Sequence, residues 1–127
     1  MSKTVTVLYI EDEEDIREMT EFALEDEGFE LFVFSSGIDA VSQADMLRPD
    51  LLLLDMMMPA MDGITTAVKL REFSHLADIP LIFMTAKVQQ SEIDKYNEIG
   101  ASGVISKPFD AMQLPEQIRS ILATSHD

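Results

Sequence analysis

Leu51-Leu52-Leu53-Leu54-Asp55 decides the fold: four leucines in an unbroken run, closed by one acid and set between Pro49-Asp50 and Pro59. Leucine favours helices, but so few residues between two prolines leave no room for one, so the run reads as a strand. A strand that is apolar at every position has both faces covered, the pattern of a parallel sheet between two helical layers. Asp55 then stands where the strand ends, at the edge where ligands bind in open α/β sheets.

The same alternation repeats on both sides of that run. Residues 4–10 (TVTVLYI) are β-branched and apolar without a breaker, and predict a buried strand that stops where the acids begin. Ile16, Met19, Phe22 and Ala23 recur at helical spacing and predict a helix over 14–27, with Gly28 as its stop. Residues 29–34 predict a second strand, and Ser35-Ser36-Gly37 a turn opening a helix that runs to about Met46. Beyond the leucines come a helix over 63–73, a strand over 79–84, a helix over 91–99 capped by Ser91 and ended by Gly100, and a short strand over 103–105. An irregular turn from Asp110 then leads into a last helix from Pro115 to about Ala123, because proline is tolerated only in a helix's first turn. Strands alternating with helices predict an α/β fold, and right-handed crossovers put all the strand C-termini on one edge.

At 127 residues and 46% hydrophobic composition the chain supports one core, and a single domain over 1–127 is expected, with no linker, repeat or output domain. No uncharged apolar run is long enough to span a membrane, and Met1-Ser2-Lys3 with the short β-branched run behind it lacks the regions of a secretory signal. Cysteine is absent, which removes disulfides, thiolate metal sites and a cysteine nucleophile, and fits a cytoplasmic protein. The net charge of −15 opposes nucleic-acid binding. Between Glu11 and Glu30, eleven carboxylates face the single base Arg17, a local charge of −10. That stretch is either a solvated helix face or, in part, a binding surface for a cation or a basic partner.

The residues following the predicted strands are Glu11-Asp12, Asp55, Thr85 and Lys107, all brought to one edge by the topology. Three carboxylates in one crevice repel one another, and burying them unpaired raises their pKa values, so a compensating cation is expected. The ligands are hard oxygens, which suits Mg²⁺, or Mn²⁺. Such an ion holds a carboxylate nucleophile and a phosphoryl oxygen together. Asp55, on the rigid central strand with Pro59 and Asp62-Gly63 shaping the loop behind it, is the candidate nucleophile. Lys107 supplies a compact positive charge able to pair with Asp55 or a phosphoryl oxygen, and the Thr85 hydroxyl can donate to the same group. Taken singly, each is commonly a loop acid, a cap or a surface lysine. What matters is that all these strand ends carry the residue type one chemistry requires.

In this order and spacing, Tyr9-Ile10-Glu11-Asp12-Glu13, Leu51 to Gly63 (LLLLDMMMPAMDG), Met84-Thr85-Ala86 and Ser106-Lys107-Pro108-Phe109 resemble the receiver domain of bacterial response regulators, over nearly the whole chain. The resemblance implies a flavodoxin-like five-stranded parallel sheet of order 2-1-3-4-5. It further implies phosphotransfer to Asp55 from a histidine kinase or histidine phosphotransfer protein, and self-catalysed loss of the phosphoryl group rather than turnover as an enzyme. Asp12, Asp55 and the Met57 carbonyl would ligate the metal directly, and Glu11 through water; Thr85 would be the switch hydroxyl and Lys107 the pairing lysine. A stand-alone switch is expected, monomeric or dimerising on phosphorylation, reading out through the fourth helix, fifth strand and fifth helix to an unnamed protein partner. Alternatives are a phosphorelay intermediate or phosphate sink, a degenerate interaction module, and, from another class, an aspartyl-phosphate phosphatase of the haloacid-dehalogenase type, whose second acid would fall at Met57.

Two positions depart from the family pattern. Ile105 stands where Tyr or Phe is common, and a branched aliphatic cannot swing in and out as an aromatic does. Glu11 stands where Asp is common. Tyr96, at helical spacing with Ile93 and Ile99, reads as partly core or, alternatively, as an exposed contact residue. Met56, Met57, Met58, Met61 and Met84 cluster around the site as adaptable packing, and Met57 lying over it would restrict attack by water.

Overall fold

A computed structural model describes residues 4–86 and 89–125; the N-terminal triplet read above for a secretory signal lies outside them. Five parallel strands form one sheet: β1 (Val5–Ile10), β2 (Phe29–Phe34), β3 (Leu51–Asp55), β4 (Leu81–Thr85) and β5 (Gly103–Ser106), in the order β2-β1-β3-β4-β5. The helices are α1 (Glu14–Leu24), α2 (Gly37–Gln43), α3 (Gly63–Arg71), α4 (Gln90–Glu98) and α5 (Leu114–Ser125). A 3₁₀ turn, Ala44–Met46, continues α2 to the expected end.

The leucine strand is buried at every position, and its side chains divide between two cores by the twofold periodicity of a strand. Leu52 and Leu54 join Leu8, Ile10 and Phe83 beneath α2, α3 and α4, packing against Ala40, Leu70 and Tyr96. Leu51 and Leu53 join Val7, Tyr9, Ile82 and Ile105 beneath α1 and α5, packing against Leu24, Leu114 and Ile118. Both layers hold the sheet rigid, so the residues at its C-terminal edge keep fixed positions.

The elements differ from expectation mainly at helix ends. α1 stops at Leu24, its last buried residue, rather than at Glu27: Glu25 is already extended, and Asp26 and Gly28 take positive φ values of 62° and 88° to turn the chain into β2. Ser91 does not cap α4. The helix starts one residue earlier behind Gln89, which makes no side-chain cap, and Gln90 instead donates to Asp94 Oδ1 at 2.8 Å. Gly100 ends the helix as expected, with φ 85°. Tyr96 is 1% exposed with its ring centroid 5.4 Å from that of Phe83, so the exposed alternative for it is wrong. α5 has Pro115 in its first turn, and the irregular segment before it closes through Leu114 N–H donating to the Asp110 carbonyl at 3.0 Å.

Candidate phosphoacceptor site

β1, β3, β4 and β5 all end at the same edge, and each brings one part of the site. Glu11 follows β1, with its N–H donating to the Phe34 carbonyl at 3.1 Å, and its side chain is fully buried. Asp12, next in the chain, is half-buried. Asp55 is the last residue of β3 and 2% exposed. Carboxylate oxygens of Glu11, Asp12 and Asp55 lie within 4.8 Å of one another. Lys107, one residue past β5, answers them with a single ammonium, donating to Asp55 Oδ1 and to Glu11 Oε1 at 2.8 Å each.

Burial dominates the electrostatics. It pushes the Glu11 carboxyl up to about 7 from 4.5, with the bond from Lys107 opposing and the nearby Asp55 charge adding. Asp55 is likewise raised, first by burial, against the pull of Lys107. Burial disfavours the Lys107 ammonium, but its bonds to Asp55 and Glu11 outweigh that, and the net shift is upward. The ammonium is therefore charged while sharing itself between two acids. When all three are ionised, three carboxylates against one ammonium leave two negative charges in a crevice of hard oxygen donors, which fits a divalent cation of the Mg²⁺ kind.

The remaining expected residues fall around this cluster. Thr85 ends β4, is 1% exposed, and its carbonyl accepts from Lys107 N–H at 2.9 Å, so Thr85 and Lys107 share one backbone bridge. Met57, in the loop after Asp55, has an exposed side chain, while Met56 and Met58 are buried in the core. Ile105 is also buried, within the layer under α5. The Lys107–Pro108 peptide is cis.

Three supporting contacts escaped the sequence reading, which places only Gly63 of their residues, with Pro59 and Asp62, in the loop behind Asp55. Arg17 Nη1 donates to the Glu11 and Asp12 carbonyls at 2.9 and 3.1 Å, fixing the turn that presents both acids. Its being the lone base among the acids of 11–30 was the available signal. Gly63 lies so close beneath Asp55 that a Cβ there would sit 2.5 Å from the Asp55 carbonyl oxygen and 2.9 Å from Met56 Cα. Only glycine allows the loop to close this tightly, and Gly63 N–H donates to the Met56 carbonyl at 2.9 Å. Below the acids, the buried Tyr9 hydroxyl donates to Thr20 Oγ1 at 2.9 Å and locks β1 to α1. No pattern in the sequence announced that pair.

Residues 7–119 match the response regulator receiver domain, and the chain belongs to that family. It is 38% identical over 124 residues to the sensory transduction protein RegX3 of Mycobacterium tuberculosis, covering 96% of this chain and 52% of that protein. Against the transcriptional regulatory protein CseB of Streptomyces avermitilis it is 34% identical over 122 residues, covering 96% of this chain and 51% of the relative. The chain thus spans about half the length of the curated relatives it matches. Among solved structures it superimposes on the chemotaxis response regulator CheY4 of Vibrio cholerae with a TM-score of 0.87 at 26% identity, covering 94% of this chain and 99% of that one. The signal receiver domain of a histidine kinase from Syntrophus aciditrophicus gives a TM-score of 0.81 at 28% identity, covering 95% and 92% of the two chains.

Proposed function

We propose that Asp55 accepts a phosphoryl group from a phosphorylated histidine, on a kinase or a histidine phosphotransfer protein, and that the change is read by another protein in the cytoplasm. The observation that carries this reading is the Lys107 ammonium held 2.8 Å from both Asp55 and Glu11, beside a third carboxylate. A carboxylate oxygen of Asp55 attacks phosphorus as the phosphorus–nitrogen bond breaks, and the departing imidazole nitrogen keeps the electron pair. Glu11, Asp12 and Asp55, with the Met57 carbonyl, would hold Mg²⁺, which when bound offsets the negative charge gathering on the phosphoryl oxygens. Lys107 is placed to follow its acceptor, passing from Asp55 Oδ1 to a phosphoryl oxygen, while the Thr85 hydroxyl donates to another.

Because Lys107 N–H bonds the Thr85 carbonyl, movement of either residue reaches both β4 and β5. With Ile105 buried, that backbone bridge carries the change toward α4, β5 and α5 in place of an aromatic rotamer. The chain acts as a switch that loses its phosphoryl group to water by its own chemistry, rather than as a turnover enzyme. Exposed Met57 restricts that water: Met57→Asn is expected to shorten the lifetime of the phosphorylated form several-fold, and equal decay rates would remove the shielding role. The central test is incubation with acetyl phosphate and Mg²⁺, read by intact mass. Uptake of one phosphoryl group that Asp55→Asn abolishes is expected; uptake unaffected by that substitution would overturn the assignment.

A further inference from the structure

At the other end of the sheet, α1 and the start of β2 enclose an open groove of about 640 Å³. Its apolar floor is Phe22, 75% exposed, with the half-buried Phe29 and Leu31. Along its rim stand the exposed carboxylates Glu18, Glu21, Glu25 and Glu30. Phe29 and Glu30 pair with Val5 and Thr6 at the N-terminal end of β1, so the groove opens at the pole opposite Asp55.

These acids stand where the fold itself disfavours them. The last turn of α1 contains no base, although a helix C-terminus attracts cations and repels carboxylates. Among the described residues, no base pairs with the four rim acids. A cation beside the groove shows how another would bind. Arg119 of α5 lies over the Phe29 ring at 5.6 Å, donates to Glu27 Oε1 at 3.0 Å and to the Glu27 carbonyl at 2.7 Å. A guanidinium thus fits by stacking on Phe29 while pairing with Glu27, an acid next to the rim. Phe22 and Glu18, Glu21 and Glu25 repeat those two elements without an occupant of this kind.

We infer that the α1–β2 groove is a docking site for a basic amphipathic segment of a partner protein, one that sets an apolar side chain against Phe22 and arginines or lysines against the rim. Charge decides the occupant. A second copy of a chain of net charge −15, a nucleic acid or an anionic membrane would each be repelled by this rim. The site goes beyond the phosphoacceptor reading and stands without it, since nothing in the groove touches the acids at the opposite edge.

The test is a titration of the isotope-labelled 127-residue protein, without Mg²⁺, by a synthetic amphipathic helix of leucine and arginine, followed by backbone amide shifts. Shifts confined to α1 from Glu18 onward and to Phe29–Leu31 of β2 are expected, with weakening as salt rises from about 50 to about 500 mM. Phe22→Ala, which opens no core cavity at so exposed a position, should weaken binding about tenfold. The pair Glu21→Lys and Glu25→Lys should abolish it, Asp55→Asn should leave it unchanged, and the same helix with glutamate for arginine should not bind. Shifts scattered over the acidic surface, shifts centred on α4 and β5, or a Phe22→Ala protein that binds as tightly as the parent would each overturn the assignment.

Discussion

The chain gathers acids in two places, and they behave oppositely. At the C-terminal edge of the sheet Glu11 and Asp55 are buried, and one internal ammonium is held between them at 2.8 Å. At the far end of α1, Glu18, Glu21 and Glu25 stand in solvent with no base paired to them among the described residues. Like charge in water is cheap, because solvent screens it within about 10 Å at ordinary ionic strength. Like charge in the interior is not, and there the protein must supply a lysine, take up a proton or bind a cation. The difference teaches that acid count says little about a site; burial decides which acids are poised for chemistry and which only present a surface.

Removing the internal counter-ion should break the comparison most sharply. Lys107→Met leaves Glu11 and Asp55 buried without their ammonium, and a loss of about 3 kcal/mol is expected from urea unfolding at pH 8 without metal. An unchanged midpoint would mean that the pair is not held as described. Adding Mg²⁺ at about a hundred times its dissociation constant should stabilise the parent by about 2.7 kcal/mol, and Asp12→Asn should remove most of that gain. The exposed cluster of α1, with no such enclosure, should contribute nothing measurable to it.

Glu11→Gln sharpens the same contrast through pH. Burial raises the Glu11 carboxyl of the folded protein to about 7, above its ordinary value of 4.5, so between these limits the folded state holds a proton that the unfolded chain has lost. Stability from this group is therefore greatest at or below about pH 4.5, declines as pH rises toward 7, and reaches its full penalty above that. Glutamine keeps an acceptor for Lys107 and cannot ionise. Without metal, the variant should gain about 2 kcal/mol over the parent at pH 8 and little at pH 4.5, measured by thermal unfolding. An equal difference at both pH values would contradict the burial account. The smallest effect belongs to the exposed acids: Glu25→Lys should stabilise by about 0.5 kcal/mol at low salt and lose that gain at high salt, because it puts a cation at the C-terminus of α1.

Much of this was legible before any coordinates. Alternating apolar runs and helical spacings placed every strand and helix, since burial on two faces leaves its mark on each residue of a strand like Leu51–Asp55. The chemical residues were legible because strand ends are short and their polar residues few: Glu11, Asp12, Asp55, Thr85 and Lys107 all lie at the predicted edge. Helix ends were less so. Whether α1 stops at Leu24 or at Glu27, and whether Ser91 caps α4 or sits inside it, depends on where the last side chain can be buried and on φ values that composition does not announce. Arg17 on two carbonyls, Gly63 beneath Asp55 and Tyr9 on Thr20 are contacts between elements, invisible to local pattern.

By itself, then, the order of residues determined the fold class, the edge and the polar side chains that gather there, because periodicity and strand ends are local properties. Only the tertiary structure decided which acids share one ammonium, that Tyr96 is core, and that Phe22 lies open in a rimmed groove. Those outcomes depend on distances between segments far apart in the chain, such as the 96 positions separating Glu11 from Lys107, and packing alone sets such distances.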